Sequence, residues 1–121
     1  MKAVIYHNPR CSTSRKALAM IRDAGIEPEI IEYLLHPPGR ERLAALIRDA
    51  GLSVREAIRA KEPAYARLGL DDPGLDDEAL IDAMVREPVL IQRPFVQTAL
   101  GTRLGRPVEA VQEILPPAVT P

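Results

Sequence analysis

Apolar residues fall in runs whose period changes twice along the chain. Ala3-Val4-Ile5-Tyr6 is apolar without alternation and predicts a short, fully buried strand, stopped by Asn8-Pro9. From Ser12 to Ala24 the period becomes helical, with Ala17, Leu18, Ile21 and Ala24 on one stripe and Met20 alongside. Gly25 stands where a helix C′ residue is wanted, and Pro28 clears the way for a second strand, Glu29-Ile30-Ile31-Glu32-Tyr33. A strand, a helix and a strand joined by short connections predict a right-handed parallel βαβ unit.

Pro37-Pro38-Gly39 breaks this pattern and the middle of the chain reads as helical. Arg40 to Ala50 places Leu43, Leu46, Ile47 and Ala50 on one face, with Gly51 as the stop. Ser53-Val54-Arg55-Glu56 has capping-box spacing, so a helix is expected to start there and to carry Arg59 near its end. A short helix is expected around Pro63 to Leu68 and a turn at Asp71-Asp72-Pro73-Gly74. Asp76 is the expected N-cap of a helix holding Leu80, Ile81, Met84 and Val85, ended by Pro88.

After Pro88 the period returns to that of strands. Val89-Leu90-Ile91 and Phe95-Val96-Gln97 read as strands, and a return through Gly101 brings in Thr102-Arg103-Leu104. A last helix is predicted with Pro107 at N1 and Val108, Val111, Ile114 and Leu115 inward, ended by Pro116-Pro117. The order is β-α-β, a helical insert, then β-β-α. This predicts an α/β, thioredoxin-like three-layer fold, with a small mixed sheet, a helix on each side and a helical insertion. The expected organisation is a single domain over 1–121 with the insertion at approximately 38–87.

Composition narrows the chemistry. The 121 residues are those of a globular protein, and a net charge of −1 offers no general attraction for nucleic acid or a membrane surface. No apolar run approaches the roughly 20 residues of a membrane span. The N-terminus turns polar too early for a signal peptide, so a reducing cytoplasmic compartment is expected. One cysteine excludes an internal disulfide, and one cysteine with two separated histidines (His7 and His36) lacks metal-ligand spacing. No zinc site is expected, and His36 is expected on a surface loop.

That lone cysteine, Cys11, lies where the first strand hands over to the first helix. There the amides of Ser12, Thr13 and Ser14 belong to an unsatisfied first turn and favour thiolate over thiol. Arg10 and Arg15 are nearby cations, and the three hydroxyls can hold a thiolate or an oxyanion, which makes Ser14 a substrate-binding candidate. His7, at the strand end, is placed to organise hydrogen bonds beneath the thiol or to share its proton. A tyrosine-phosphatase loop needs arginine at position 17, which is alanine; a dithiol motif needs cysteine at position 14, which is serine. Cys11 therefore works alone or through mixed disulfides with another molecule. Arg59, Arg93 and Arg106 all fall at structural breaks and are candidates for holding a tetrahedral oxyanion by forked hydrogen bonds.

The stretch Tyr6-His7-Asn8-Pro9-Arg10-Cys11-Ser12-Thr13-Ser14-Arg15 resembles the active-site signature of the glutaredoxin-coupled arsenate reductase family. The resemblance continues collinearly through Ser53-Val54-Arg55 and Arg59, Leu68-Gly69-Leu70, Pro88-Val89-Leu90-Ile91-Gln92-Arg93-Pro94, and Leu100 to Pro107. It implies a thioredoxin-like fold, Cys11 as nucleophile, His7 as the histidine that helps lower the thiol pKa, and Arg59, Arg93 and Arg106 as oxyanion ligands. It further implies a cis peptide bond at Arg93-Pro94, arsenate as substrate, glutathione as co-substrate, glutaredoxin as the resolving partner, and no metal or bound organic cofactor. Gly105 departs from members that carry a second cysteine there, and the chain is shorter at its end than some members. Two other readings stand beside it: an Spx-like regulator, which uses the same fold to bind RNA polymerase, and a general glutathione-dependent thiol reductase. The three arginines favour the reductase, since an adaptor has no need of an oxyanion cradle.

Overall fold

A computed structural model describes residues 1–117. The chain forms two compact units, Met1–Tyr33 with Arg93–Pro121, and Leu34–Gln92.

The first unit holds a four-stranded mixed sheet in the order β2-β1-β3-β4. Strand β1 (Ala3–His7) pairs in parallel with β2 (Glu29–Glu32), and the 12-residue helix α1 (Ser12–Asp23) connects them. On its other side β1 pairs antiparallel with β3 (Phe95–Thr98), which continues antiparallel into β4 (Gly101–Leu104). The register sets Ile5 opposite Val96 and Tyr6 opposite Phe95. Period-two alternation therefore sends Ala3, Ile5 and Val96 to one face and Tyr6 and Phe95 to the other, all five buried. The first three join Ala17, Ile21, Ile26, Val111 and Ile114 in one core cluster. Burying a large side chain of this kind contributes about 1.5–3 kcal/mol. Helix α1 ends at Ala24, and Gly25 (φ 84°) takes the left-handed position that other residues adopt only with strain.

The segment predicted as a last α-helix is instead a 3-10 helix, Val108–Ile114, with Pro107 outside it as the cap. Three residues per turn bring Val108, Val111 and Ile114 onto one side, which matches their spacing in sequence better than an α-helix would. This helix packs on the same cluster as α1, so among the described residues of this unit the two share one face of the sheet, where one on each side was expected. The thioredoxin-like α/β fold with a small mixed sheet and a helical insertion is otherwise as read from the pattern.

The second unit is helical. Helix α2 (Arg40–Asp49) buries Leu43, Leu46 and Ile47, and Gly51 (φ 73°) follows it. Ser53 and Glu56 close the expected capping box, but the helix they start, α3 (Val54–Ala57), is only four residues long and leaves Arg59 beyond its end. Helices α4 (Pro63–Arg67) and α5 (Asp77–Arg86) follow, the latter capped by Asp76, whose carboxylate accepts from the Ala79 amide at 2.9 Å. Val89-Leu90-Ile91 is not a strand. Pro88 opens a 3-10 turn, Pro88–Leu90, and the amides of Leu90 and Ile91 donate locally to Glu87 and Pro88. Only Ile91 makes a sheet-like bridge, to Ile58. Among the described residues no helix is long and apolar enough to cross a membrane.

Candidate functional site

The site is built on the turn between β1 and α1. The Cys11 amide donates to the Asn8 carbonyl at 3.0 Å, and Cys11, with extended backbone, becomes the N-cap of α1. Its own carbonyl then accepts the first helical bond, from the Arg15 amide at 3.0 Å. Asn8 Oδ1 accepts from the Arg10 amide, and Arg15 Nη1 donates to the Pro9 carbonyl, so the turn is tied at both ends. The helix has no acidic residue in its first turn, and nothing there cancels the positive end of the helix dipole.

Half-buried Cys11 is held below its ordinary pKa. Burial pushes the thiol up, but the Ser14 amide, a hydrogen bond and Coulombic attraction from the Arg93 guanidinium, and the Thr13 amide together outweigh it. Arg10 and Arg15, the cations nearest in sequence, are not among these causes. Arg93 is, and it reaches Cys11 because the sheet places the start of β3 beside the end of β1, with Phe95 opposite Tyr6.

His7 and Ser14 lie beneath the turn. His7 Nδ1 and Ser14 Oγ are 2.7 Å apart, and Ser14 Oγ also accepts from the Asn8 amide at 3.0 Å. Ser14 is wholly buried, so its hydroxyl serves the turn, while its backbone amide serves the sulfur. Burial lowers the His7 pKa; Glu32 opposes the shift, and Arg22 and Arg15 add to it. A neutral His7 accepts the Ser14 O–H at Nδ1 when its proton sits on Nε2, and this completes both bonds of the hydroxyl.

The Arg93-Pro94 peptide is cis, as the resemblance implied, and so is Arg106-Pro107. Arg93 Nε and Nη1 are buried and, among the described residues, have no hydrogen-bond partner. Buried donors left unmet cost about 1–3 kcal/mol each, so this guanidinium is primed for an acceptor. Arg106 is exposed, and its Nη1 donates to the Arg93 carbonyl at 3.3 Å. Gly105, the residue before Arg106, packs so closely that a Cβ would meet the Pro94 ring at 3.0 Å and Val111 at 3.2 Å. A cysteine at this position would therefore require these side chains to give by a few tenths of an ångström.

Arg59 belongs to the second unit. Its amide donates to the Leu90 carbonyl at 2.7 Å, and its Nη1 pairs with Glu62 Oε1 at 2.6 Å. Its sequence carried no sign of that pairing beyond the i,i+3 spacing. His36 is exposed, as expected. Lys16 was not singled out in the sequence; it lines a cavity with Thr13 and Arg106, and only the fold brings these together.

The ArsC family profile matches residues 6–114. The chain belongs to the ArsC family. It is 60% identical over 116 residues to the arsenate reductase of Rhizobium meliloti, covering 96% of this chain and 83% of that protein. It is 54% identical over 114 residues to the arsenate reductase of Escherichia coli K12, covering 94% and 81%. Among solved structures, the arsenate reductase from Vibrio cholerae superposes with a TM-score of 0.91 at 47% identity, covering 95% of this chain and 98% of that one. The family resemblance carried by the Cys11 signature thus extends over both units.

Proposed function

We propose that this protein is an arsenate reductase that acts as one thioredoxin-like domain with its insertion, in the reducing cytoplasm. The observation that carries the reading is the Arg93 guanidinium beside an acidified Cys11, with Nε and Nη1 buried and unmet. An oxyanion bound there satisfies those donors and is held against the nucleophile. Relatives named arsenate reductases support arsenate as that oxyanion. Arg106 and Arg59 are the further substrate-binding arginines that the family resemblance implies. The Ser14 amide adds to the positive end of α1, and His7 supports the turn through the Ser14 hydroxyl.

The chemistry follows from a lone thiol. The Cys11 thiolate attacks arsenic(V), a sulfur–arsenic bond forms, and one arsenate oxygen leaves as water after taking up protons. Glutathione thiolate then attacks the Cys11 sulfur of the adduct. As the sulfur–sulfur bond forms, the sulfur–arsenic pair goes to arsenic, which departs as arsenite, reduced by two electrons. Glutaredoxin takes the glutathionyl group and returns Cys11 to its thiol. An outside thiol is required because position 14 is serine.

A coupled assay with arsenate, glutathione, glutaredoxin, glutathione reductase and NADPH tests this. Arsenate-dependent NADPH consumption is expected, and Cys11→Ser is expected to abolish it. Equal turnover in that variant, or none in the native protein, would overturn the reading.

A further inference from the structure

A shallow cavity of about 180 Å³ opens beside the Cys11 turn, lined by Thr13, Lys16, Arg106, Pro107 and Val108. Its walls come from the first turns of α1 and from the segment that opens the final 3-10 helix. Thr13 connects it to the chemistry, because it lies in the first turn of α1, two residues after the N-cap Cys11, and its amide is among the groups that lower the Cys11 pKa. Lys16 and Arg106 bring two positive charges, and among the described residues neither has a carboxylate within ion-pair distance. No acidic residue lines the cavity, while Pro107 and Val108 give it an apolar wall.

We propose that this cavity is the docking site for a carboxylate of the glutathione co-substrate, with Lys16 as the side chain that recognises it. The inference rests on the glutathione-dependent reading above. Glutathione carries carboxylates remote from its sulfur, so a cationic recess next to the nucleophile holds the molecule while its thiol reaches Cys11. A small uncharged thiol has nothing to place there. Lys16 moves no proton in the reaction; its ammonium contributes attraction and orientation. Arg106 is shared with the oxyanion, so Lys16 is the residue that separates the two ligands.

The test uses thiol–disulfide exchange, which needs no arsenate. The Cys11 thiolate attacks one sulfur of oxidised glutathione, forms the mixed disulfide and releases one glutathione thiolate. The same exchange is run with the uncharged 2-hydroxyethyl disulfide. Lys16→Glu is expected to slow the glutathione reaction about five- to tenfold and to leave the uncharged reaction within about twofold, as reversing one exposed charge implies. Lys16→Arg is expected to keep the native ratio. Equal slowing with both disulfides, or none with either, would overturn the proposal. In the coupled assay Lys16→Glu should raise KM for glutathione and spare KM for arsenate; a rise confined to arsenate would make the cavity part of the oxyanion site and also overturn it. Absence of arsenate turnover in the native protein would remove the reductase reading, with the exchange ratio still deciding the role of Lys16.

Discussion

The insertion and the Cys11 turn use their arginines in opposite ways. In the insertion the arginines that fold back are answered. Arg40 meets Asp82 and Glu78, Arg67 meets Glu87 at 3.0 Å, and Arg59 meets Glu62 at 2.6 Å. Arg55 binds the Tyr65 hydroxyl at 3.0 Å and the carbonyls of Leu70 and Asp72, strapping the loop between α4 and α5. Beside Cys11, among the described residues, Arg93 has no carboxylate and two buried nitrogens without a hydrogen-bond partner, and Arg106 finds only a carbonyl. An answered guanidinium has committed part of its donors to the fold. An unanswered one, kept from water, retains an electrostatic demand that an arriving anion can meet. The difference marks where the protein holds chemistry in reserve, and it is invisible in the count of arginines.

The comparison breaks first at Arg93. Arg93→Ala is expected to lower kcat/KM for arsenate on the order of a hundredfold, the scale of truncating a buried, hydrogen-bonded charge partner. It should also raise the Cys11 pKa, read from the ultraviolet absorbance of the thiolate. Arg59→Ala is expected to cost about tenfold, mostly in KM, because Glu62 already takes part of that guanidinium. Unchanged steady-state kinetics in either variant would remove that arginine from the site.

Stability against pH sharpens the same contrast. The folded Cys11 thiol ionises below its unfolded value, so between the two values the unfolded chain holds more protons and stability rises with pH. That gain is complete above the unfolded value and disappears as pH falls through the folded one; Cys11→Ser should flatten denaturant titrations across this window. His7 is also held below its ordinary 6.5, so stability should fall as pH drops from about 6.5 towards the folded value, where the unfolded chain alone takes up the proton. A His7→Gln variant with the same slope would assign that loss elsewhere. The smallest effect is expected in the insertion. Ser53→Ala removes one half of the capping box and should cost about 1 kcal/mol in urea unfolding, with no change in Cys11 reactivity.

Most of the fold was legible because its signals are local. The turn from Asn8-Pro9 into α1, the glycines after α1 and α2, the Ser53 box and the Asp76 cap each act within a few residues. The misreadings fell where local pattern is ambiguous. Val89-Leu90-Ile91 is apolar enough for a strand, but Pro88 turns the backbone and its amides are satisfied at short range. The last helix kept its inward residues and tightened to a 3-10 form, because a spacing of three suits the core it covers.

For the site, the letters alone named a lone thiol at a helix start and three arginines at breaks, with a serine where a resolving cysteine would stand. They could not rank the cations. Arg10 and Arg15 are nearest to Cys11 along the chain, yet Arg93 acts on the sulfur, because antiparallel pairing of β1 with β3 joins positions far apart in sequence. Nor could they tell that the Ser14 hydroxyl turns inward to His7 while its amide faces the sulfur, or that Lys16 and Arg106 share a cavity. Helix starts and caps depend on neighbours in the chain, so the sequence determines them directly. Which charges are answered, and which are left waiting at the thiol, depends on burial and strand register, and only the tertiary structure decides that.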